Sequence, residues 1–356
     1  MRRAGHLFEQ AFSRENLYQA YLDASRHKHG KRACFQFTRR LAFRLDELYR
    51  TLHDGSYQPK PYYVFEVYEP KLRLIYAPSF GDLVVQHAIY RVIYSIFDPS
   101  FIDQSFACRK GKGTHRAADY AQQALRTSPE GSVTLKLDIR KFFYRIDRDI
   151  LRQQIERKIK DRRFVDVMMQ FAEYGEPVGI PIGNLLSQTY ALIYLSPLDH
   201  FVKRELKIQR YCRYVDDFVL FGLTREQAHQ CRIRIEAFLH QRLNLELSRY
   251  SLAPVQRGLN FVGYRTWRGK RFVRKRALYM ARRAIRLGNA ASLASSLGHA
   301  RKTHSLQHIL TLTRDRNHDL YRSLPHRLRR AHHTPAEGTQ QPRRDYAALH
   351  RALYAR

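Results

Sequence analysis

Acidic residues are scarce in this sequence. Its 356 residues include 32 Asp and Glu against 64 Lys and Arg, which gives a formal net charge of +32 at pH 7. Such an excess of positive charge would repel itself in a compact fold unless a polyanion is a regular partner. The charge therefore predicts a nucleic acid as the partner, bound in a salt-dependent way, and leaves an anionic membrane surface as the rival.

Cysteines and long apolar runs are scarce as well. Cys34, Cys108, Cys212 and Cys231 form no C-x-x-C pair, which argues against a zinc ribbon or a disulfide framework and fits a reducing cytoplasm. No stretch approaches the roughly 18 apolar residues that span a bilayer. The basic start MRRAGHLFEQAFS also lacks the apolar core of a signal peptide. We therefore expect a cytoplasmic protein with no membrane partner.

Hydrophobic residues make up 44% of the chain, so it should fold, and its length suits two or three domains. Hydrophobic periodicity, together with turn and cap residues, predicts the elements. Their order is basic helices within 1–56, strands over 62–67 and 71–76, a helix over 83–97, a strand over 133–139, a helix from Arg148 capped by Asp147, a helix from Leu185, short strands over 211–215 and 218–221, and very basic helices after Arg271 with a loop at 334–342.

Two adjacent aspartates interrupt the apolar run YCRYVDDFVLF at residues 211–221. Asp is a common turn residue, so Asp216 and Asp217 could simply join two short strands. Adjacent carboxylates also repel each other unless a cation or a proton intervenes, and hard cations such as Mg²⁺ prefer oxygen ligands. On this stretch alone, a turn and a metal site both remain open.

A third aspartate lies in the predicted strand VTLKLDI at residues 133–139. Apolar residues alternate there with Thr134, Lys136 and Asp138, so Asp138 faces away from the core. If this strand neighbours the later hairpin, three carboxylates meet, enough to hold two Mg²⁺ ions whose coordination nucleotide phosphates complete. Two such ions stabilise the attacking and leaving oxygens of phosphoryl transfer.

Four segments resemble successive motifs of reverse transcriptases, in the expected order. They are LKLDIRKFFYRI (135–146), GIPIGNLLSQTYALIYLSPLD (179–199), RYVDDFVLF (213–221) and LNFVGYRTW (259–267). The resemblance implies an α+β right-hand polymerase with fingers, an antiparallel-sheet palm and a helical thumb. It also implies an N-terminal helical extension at 1–56, fingers and palm at 57–270, and a basic helical thumb and tail at 271–356.

The fourth motif narrows the resemblance. Where most reverse transcriptases carry Pro-Gln-Gly and Ser-Pro, this chain has Pro181-Ile182-Gly183 and Ser187-Gln188, which looks like the enzymes of diversity-generating retroelements. FEVYEPKLRLIYAP (65–78) and SFACRKGKGTHRA (105–117) resemble the same group, although Asp82-Leu83 stands where Asp-Arg is expected. That group implies cDNA with errors at template adenines, a structured template RNA, deoxynucleoside triphosphates as substrates and a small basic oligomeric accessory protein.

The resemblance also assigns roles to residues. Asp216 is expected to bind metal more directly than Asp217, because neighbouring strand residues point in opposite directions. Arg73, and less surely Lys71, would hold the incoming triphosphate, and Phe143 would exclude a 2′-hydroxyl. The catalytic carboxylates would be Asp138, Asp216 and Asp217, with Ile139 beside them at the two Mg²⁺ ions, and the nucleotide pocket would include Ile182, Gly183 and Gln188. For Ile182, an ordinary buried loop residue is the alternative.

Two further segments suit template or primer contacts. The turn at 109–114 lacks the spacing of a Walker A loop, and we expect Arg109, Lys110 and Lys112 to touch the template backbone unless the turn is merely solvated. The hairpin at 259–267 would place Gly263 and Tyr264 at the primer end, or its aromatics would be core. The basic helices after Arg271 would grip the duplex through phosphates.

Three other functions compete with this hypothesis. A group II intron reverse transcriptase of ordinary fidelity would need a maturase region, and only about 85 residues follow Lys270. A retron enzyme would show its own motifs in the fingers and thumb, which are not found. A non-catalytic RNA-binding scaffold would not need Asp138, Asp216 and Asp217 together.

Overall fold

The structure, a computed structural model, describes residues 3–68 and 72–333, in which helices and antiparallel strands are mixed. The α+β class predicted from the sequence is confirmed. The helices are α1 Leu7–Ala11, α2 Arg14–Ser25, α3 Arg32–Thr38, α4 Leu41–Asp54, α5 Phe80–Phe97, α6 Thr114–Thr127, α7 Phe142–Arg145, α8 Arg148–Glu156, α9 Arg162–Gln170, α10 Leu185–His200, α11 Arg225–Leu243, α12 Lys275–Arg286, α13 Ala290–Ala300, α14 Ser305–Arg316, α15 His318–Ser323 and α16 His326–His333. The strands are β1 Tyr63–Tyr68, β2 Leu72–Ala77, β3 Val133–Ile139, β4 Tyr211–Tyr214, β5 Asp217–Leu223, β6 Leu247–Pro254, β7 Leu259–Phe261, β8 Tyr264–Thr266 and β9 Arg271–Val273.

The chain divides into two compact units, each built from separate segments of sequence. The first holds Met1–Gly113, Leu135–Leu220 and Glu226–Ser251, and the second holds Thr114–Thr134, Phe221–Arg225 and Leu252–Arg356. The predicted division at residues 56 and 270 into extension, fingers with palm, and thumb stays a prediction.

In the first unit, α5 is a central apolar helix. Val84, Val85 and Ile89 are fully buried, and the helix packs against α2. Ser79 caps its N-terminus by accepting a hydrogen bond from the Asp82 N–H at 3.2 Å. The Asp82 carboxylate in turn accepts a bond from the Tyr57 hydroxyl at 2.7 Å. Asp82 is thus held at the start of α5 by side chains from two segments.

A four-stranded sheet carries the candidate site. Its strand order is β4-β5-β3-β6, and β4 and β5 form an antiparallel hairpin. β3 has the predicted bounds, and the predicted alternation holds from Leu135 onward: Leu135, Leu137 and Ile139 are buried, while Lys136 and Asp138 are half-buried. Thr134, predicted on the polar face, is instead buried, with its hydroxyl donating to the Ala253 carbonyl on β6 at 3.2 Å. β6 lies on the other side of β3 and was not predicted.

The second unit combines α6, a three-stranded sheet in the order β7-β8-β9, and helices α12–α16. Its core includes Tyr264, Ile285, Leu293 and Leu310, all almost fully buried. The predicted hairpin of β7 and β8 is confirmed. The predicted helices begin at Lys275, after the strand β9, and the loop predicted at 334–342 lies outside the described residues. In the described part of the chain, no helix has the length and apolarity needed to cross a membrane.

Candidate active site

The two aspartates do form a turn. Tyr214 at the end of β4 pairs with Asp217 at the start of β5, which leaves Val215 and Asp216 as a two-residue turn. Val215 has φ 59, in the left-handed region that a β-branched residue rarely adopts. Such backbone conformations persist only where the surrounding structure imposes them, and they cluster at functional sites. The turn places Asp216 at the tip of the hairpin.

The third carboxylate lies beside this hairpin, because β3 and β5 are neighbours in the sheet. Burial raises the pKa of Asp216, the negative charge of Asp138 raises it further, and the positive charge of Arg73 opposes both. Asp138 Oδ2 accepts a hydrogen bond from the Ser248 hydroxyl at 2.6 Å. The Asp138 carboxylate is therefore close enough to act on the ionisation of Asp216.

Asp217 has a different environment from Asp216. Its Oδ2 lies 2.8 Å from Lys136 Nζ, whereas its Oδ1 is a buried oxygen with no hydrogen-bond partner among the described residues. Burial raises the pKa of Asp217 to about 6; Lys136 acts in the opposite direction, and Asp138 and Asp216 add to the increase. An orphaned, buried carboxylate oxygen beside two further carboxylates has the donor chemistry that suits a hard cation.

The described residues do not, however, contain a ready metal cage. Within 3–68 and 72–333, no three His, Cys, Asp or Glu side chains form a group that could hold a metal ion. The three aspartates share one region of the sheet without converging on a single point. The carboxylate oxygens are thus of the type that Mg²⁺ prefers, but they do not form a complete coordination shell. Other ligands would have to supply part of the coordination.

The predicted nucleotide pocket is built on β2. The Tyr76 N–H donates to the Ile182 carbonyl at 2.7 Å. Gly183 has φ +110, and a Cβ there would lie 2.7 Å from Ile75 Cγ2, so the loop lies directly on the strand that carries Arg73. Arg73 is exposed and its charge acts on Asp216. Lys71 lies outside the described residues.

Phe143 and Gln188 lie on α7 and α10 of the first unit. Phe143 lies on α7, directly after β3, with its half-buried ring centred 5.4 Å from that of Phe142. Its carbonyl accepts a bond from the Ile180 N–H at 2.8 Å, which ties α7 to the loop before Ile182. Gln188 is exposed on α10.

The predicted template contacts of Arg109 and Lys112 need correction. Arg109 uses all three side-chain nitrogens within the chain, on the Asp98 carboxylate and carbonyl and on the Ile102 carbonyl. Lys112 pairs with Asp103, and its side chain is only 12% exposed. Both side chains therefore stabilise their own loop, whereas Lys110 is exposed, with its ammonium 4.7 Å from the centre of the Tyr94 ring.

The hairpin at 259–267 also differs from the prediction. Tyr264 is fully buried in the core of the second unit, and its hydroxyl donates to the His299 carbonyl at 2.9 Å. Gly263 has φ +89, and a Cβ there would lie 2.9 Å from His299 Cε1. A primer contact needs an exposed ring, which Tyr264 does not offer, and the alternative that its ring is core is correct.

Three site residues were not predicted. Lys136 had a signal, since it alternates with Asp138 on the polar face of β3. Arg213 had one as well, because a lone charge in an apolar strand requires a partner; that partner is Asp199, and both side chains are fully buried. Ser248 had no such signal, because β6 contains no buried residue and shows no apolar alternation.

Comparison with known proteins identifies the family. The model of the family described as reverse transcriptase (RNA-dependent DNA polymerase) matches residues 59–266. The chain belongs to the reverse transcriptase family. This match contains β3, the Val215–Asp216 turn and the Ile182 loop.

Relatives of this reverse transcriptase include group II intron proteins. Protein YkfC of Escherichia coli (strain K12) is 26% identical over 297 residues, covering 69% of this chain and 75% of YkfC. The group II intron-encoded protein LtrA of Lactococcus lactis subsp. cremoris is 24% identical over 282 residues, covering 58% of this chain and 46% of LtrA. The chain thus spans about half the length of LtrA. Among solved structures, telomerase from Candida albicans in complex with a TWJ fragment of telomeric RNA gives a TM-score of 0.47 at 11% identity, covering 76% of this chain and 62% of that one.

Proposed function

We propose that this chain is an active RNA-directed DNA polymerase that extends a primer on a template RNA with deoxynucleoside triphosphates. The observation that carries the proposal is the Val215–Asp216 turn, which presents Asp216 beside Asp138 on adjacent elements of one sheet. A scaffold that only binds RNA has no use for mutually repelling carboxylates at a strained turn.

The side chains have distinct parts in this reaction. Asp138 and Asp216 would hold Mg²⁺ (two ions), with Asp217 and Ile139 beside them. Bound there, the metal would lower the pKa of the primer 3′-hydroxyl and neutralise the leaving pyrophosphate. Arg73 would bind the triphosphate, and Lys136 would offset the charge of Asp217. Phe143 would lie against the sugar.

The first test is primer extension by the purified chain with Mg²⁺ and a defined template RNA. Asp216→Ala is expected to abolish cDNA synthesis while leaving RNA binding intact, because it removes a metal ligand and no exposed cation. Asp149→Asn, at an exposed carboxyl on α8, is the matched control and is expected to behave as the wild type.

The outcomes separate the functions. Equal cDNA synthesis by wild type and Asp216→Ala would show that Asp216 only forms a turn and has no catalytic role. Absence of cDNA in the wild type, with RNA still bound, would support the scaffold.

We further propose that synthesis is error-prone at template adenines and serves to diversify a target gene. The Ile182 main chain is fixed by its bond to Tyr76, so only the side chain distinguishes this pocket from one with glutamine. An aliphatic side chain cannot donate or accept a hydrogen bond, which weakens selection for the correct base. Similarity to LtrA supports the alternative, a group II intron-type enzyme of ordinary fidelity.

Sequencing the cDNA decides between these alternatives. The wild type should misincorporate mainly opposite adenine, and Ile182→Gln should lower that error rate because it restores a polar contact. Ile180→Val, at a fully buried neighbour in the same loop, is the control and should leave the errors unchanged. Accurate wild-type cDNA would support the proposed polymerase activity and refute the proposed mutagenic role.

The proposal includes partners. A structured template RNA and a small basic oligomeric accessory protein would assemble with the chain, and the large positive charge supports the RNA. Primer extension should be repeated with the small protein encoded nearest to this gene. Stimulation of cDNA synthesis would support the accessory partner, and an unchanged yield would argue against it.

A further inference from the structure

A fully buried ion pair lies directly behind the aspartate turn. Arg213 on β4 donates from Nε to Asp199 Oδ1 at 2.7 Å and from Nη2 to Asp199 Oδ2 at 2.5 Å. The Tyr211 hydroxyl donates to the same carboxylate at 2.7 Å. Both charged side chains are 0% exposed. Burying two charges costs more free energy than it returns in many proteins, so stability alone is a poor reason for this pair.

The remaining nitrogen of Arg213 points to the turn. Nη1 donates to the carbonyl oxygen of Val215 at 2.9 Å. Val215 is the turn residue with positive φ, and Asp216 follows it directly. A strained conformation needs contacts that hold it, and this bond holds the peptide that leads into Asp216.

The main chain of Arg213 is fixed on its other side as well. Its N–H donates to the Gln104 carbonyl at 3.0 Å, and its carbonyl accepts from the Phe106 N–H at 3.0 Å. Asp199 is anchored near the end of α10. The guanidinium is therefore a rigid link between a buried helix and the turn.

We infer that Arg213, oriented by Asp199, is a positioning residue that fixes the Val215–Asp216 turn so that the Asp216 carboxylate is held ready to bind metal. The inference rests on the proposed function, because it assumes that Asp216 is a metal ligand. Arginine suits this role because its planar fork makes two parallel bonds to a carboxylate and still donates a third. Lysine cannot replace it, because a single ammonium does not reach Asp199 and Val215 in the same geometry.

The test compares Arg213→Lys with Leu195→Ala. Leu195 is fully buried on α10, so its truncation should lower the melting temperature without touching the turn. Mn²⁺ binding is measured by electron paramagnetic resonance on the full chain with template RNA and primer, and the affinity for template–primer is measured separately. Losing a residue that orients a ligand typically weakens metal binding by about 10- to 100-fold.

We expect Arg213→Lys to raise the Kd for Mn²⁺ by at least about tenfold while template–primer affinity stays unchanged. Leu195→Ala should keep the wild-type Kd for Mn²⁺ even where its melting temperature falls as far as that of Arg213→Lys. Tyr211→Phe, which removes the hydroxyl bond to Asp199 but leaves the Arg213 bonds to Asp199 and Val215, should also bind Mn²⁺ as the wild type does. If Arg213→Lys does not fold, Asp199→Asn takes its place, because it loosens Arg213 while preserving the shape of the side chain.

Two results would overturn the inference. One is a Kd for Mn²⁺ in Arg213→Lys equal to that in Leu195→Ala, and the other is a wild type that binds no Mn²⁺. A wild type that binds Mn²⁺ but makes no cDNA would refute the proposed function alone, and the comparison of variants would still decide the role of Arg213.

Discussion

At the scale of one residue, the buried carboxylate of Asp217 lowers the free energy of unfolding of the metal-free protein. Its pKa is raised to about 6, chiefly by burial. The folded state therefore favours the protonated carboxyl. The contribution of Asp217 to the free energy of unfolding is fully present below about pH 4 and is lost as the pH rises through about 6. At neutral pH, the metal-free protein keeps a buried carboxylate that destabilises it.

We expect Asp217→Asn to raise the free energy of unfolding of the metal-free protein at pH 7.5 by about 3 kcal/mol. At about pH 2.5, the gain should vanish, because the wild-type carboxyl is then protonated in both states. Urea unfolding with a chelator at the two pH values measures this, with the exposed Asp315→Asn as control. A gain of equal size at both pH values would contradict the titration as its cause.

The predictability of single residues followed their burial pattern. Asp138 could be placed from sequence because β3 has one buried face and therefore alternates. Asp216 could be placed because two charges interrupt an apolar hairpin. Ser248 could not, because an exposed edge strand leaves no hydrophobic pattern. For Tyr264 the sequence left a primer contact and a core position both open, because a glycine followed by an aromatic residue occurs at exposed and at buried positions alike.

At the scale of an element, the loop at 180–184 is held to β2 by one backbone bond and one close approach. Gly183 permits that approach: an added Cβ would lie 2.7 Å from Ile75 Cγ2 and 3.1 Å from the Tyr76 carbonyl oxygen, at a φ of +110. Movement of this loop would separate Ile182 from the strand that carries Arg73.

We expect Gly183→Ala to raise the KM for deoxynucleoside triphosphates several-fold, with a smaller effect on kcat, because the loop would move off β2. Steady-state primer extension at varied nucleotide concentration measures both constants. Gly30→Ala is the control, since a Cβ at Gly30 meets no described atom within 4 Å and its φ is not in the left-handed region. Equal KM values in the two variants would show that the loop contact does not shape the pocket.

A buried face did not by itself decide which elements could be predicted: α9 and α11 have one and were missed, whereas the mostly exposed β1 and β2 were predicted. β3 was predicted with its observed bounds, and α8 with its Asp147 cap, which accepts from the N–H groups of Asp149 and Ile150. α6 was missed because its buried residues are mostly alanine, a weak hydrophobic signal. β9 was assigned to a helix because three residues are too few to show a period.

At the scale of the whole molecule, the charge of +32 should dominate binding of the template–primer duplex. Each phosphate neutralised by Lys or Arg releases counterions, so the affinity falls steeply with salt. With 6 to 10 such contacts, the loss is roughly 10³- to 10⁵-fold between about 50 and 200 mM salt.

Exposed arginines on α12 test this expectation. The double variant Arg282→Ala/Arg286→Ala should reduce the slope of log affinity against log salt by about 2, equally for different duplex sequences. Arg50→Ala is the control, because the Arg50 guanidinium already pairs with Asp46 at 2.8 Å. A change that depends on the duplex sequence would indicate base recognition instead of phosphate contacts.

The strand order has a consequence for synthesis on the ribosome. β3, which carries Asp138, lies between β5 and β6, and both follow it by about 80 residues or more. At about 5 to 20 residues per second, β3 waits roughly 4 to 16 seconds before β5 exists to pair with it. During that interval its apolar face stays uncovered and both of its edges stay unpaired, so chaperones are expected to bind this segment mainly at that stage. The carboxylates of the site are thus assembled late, only after Asp217 has emerged.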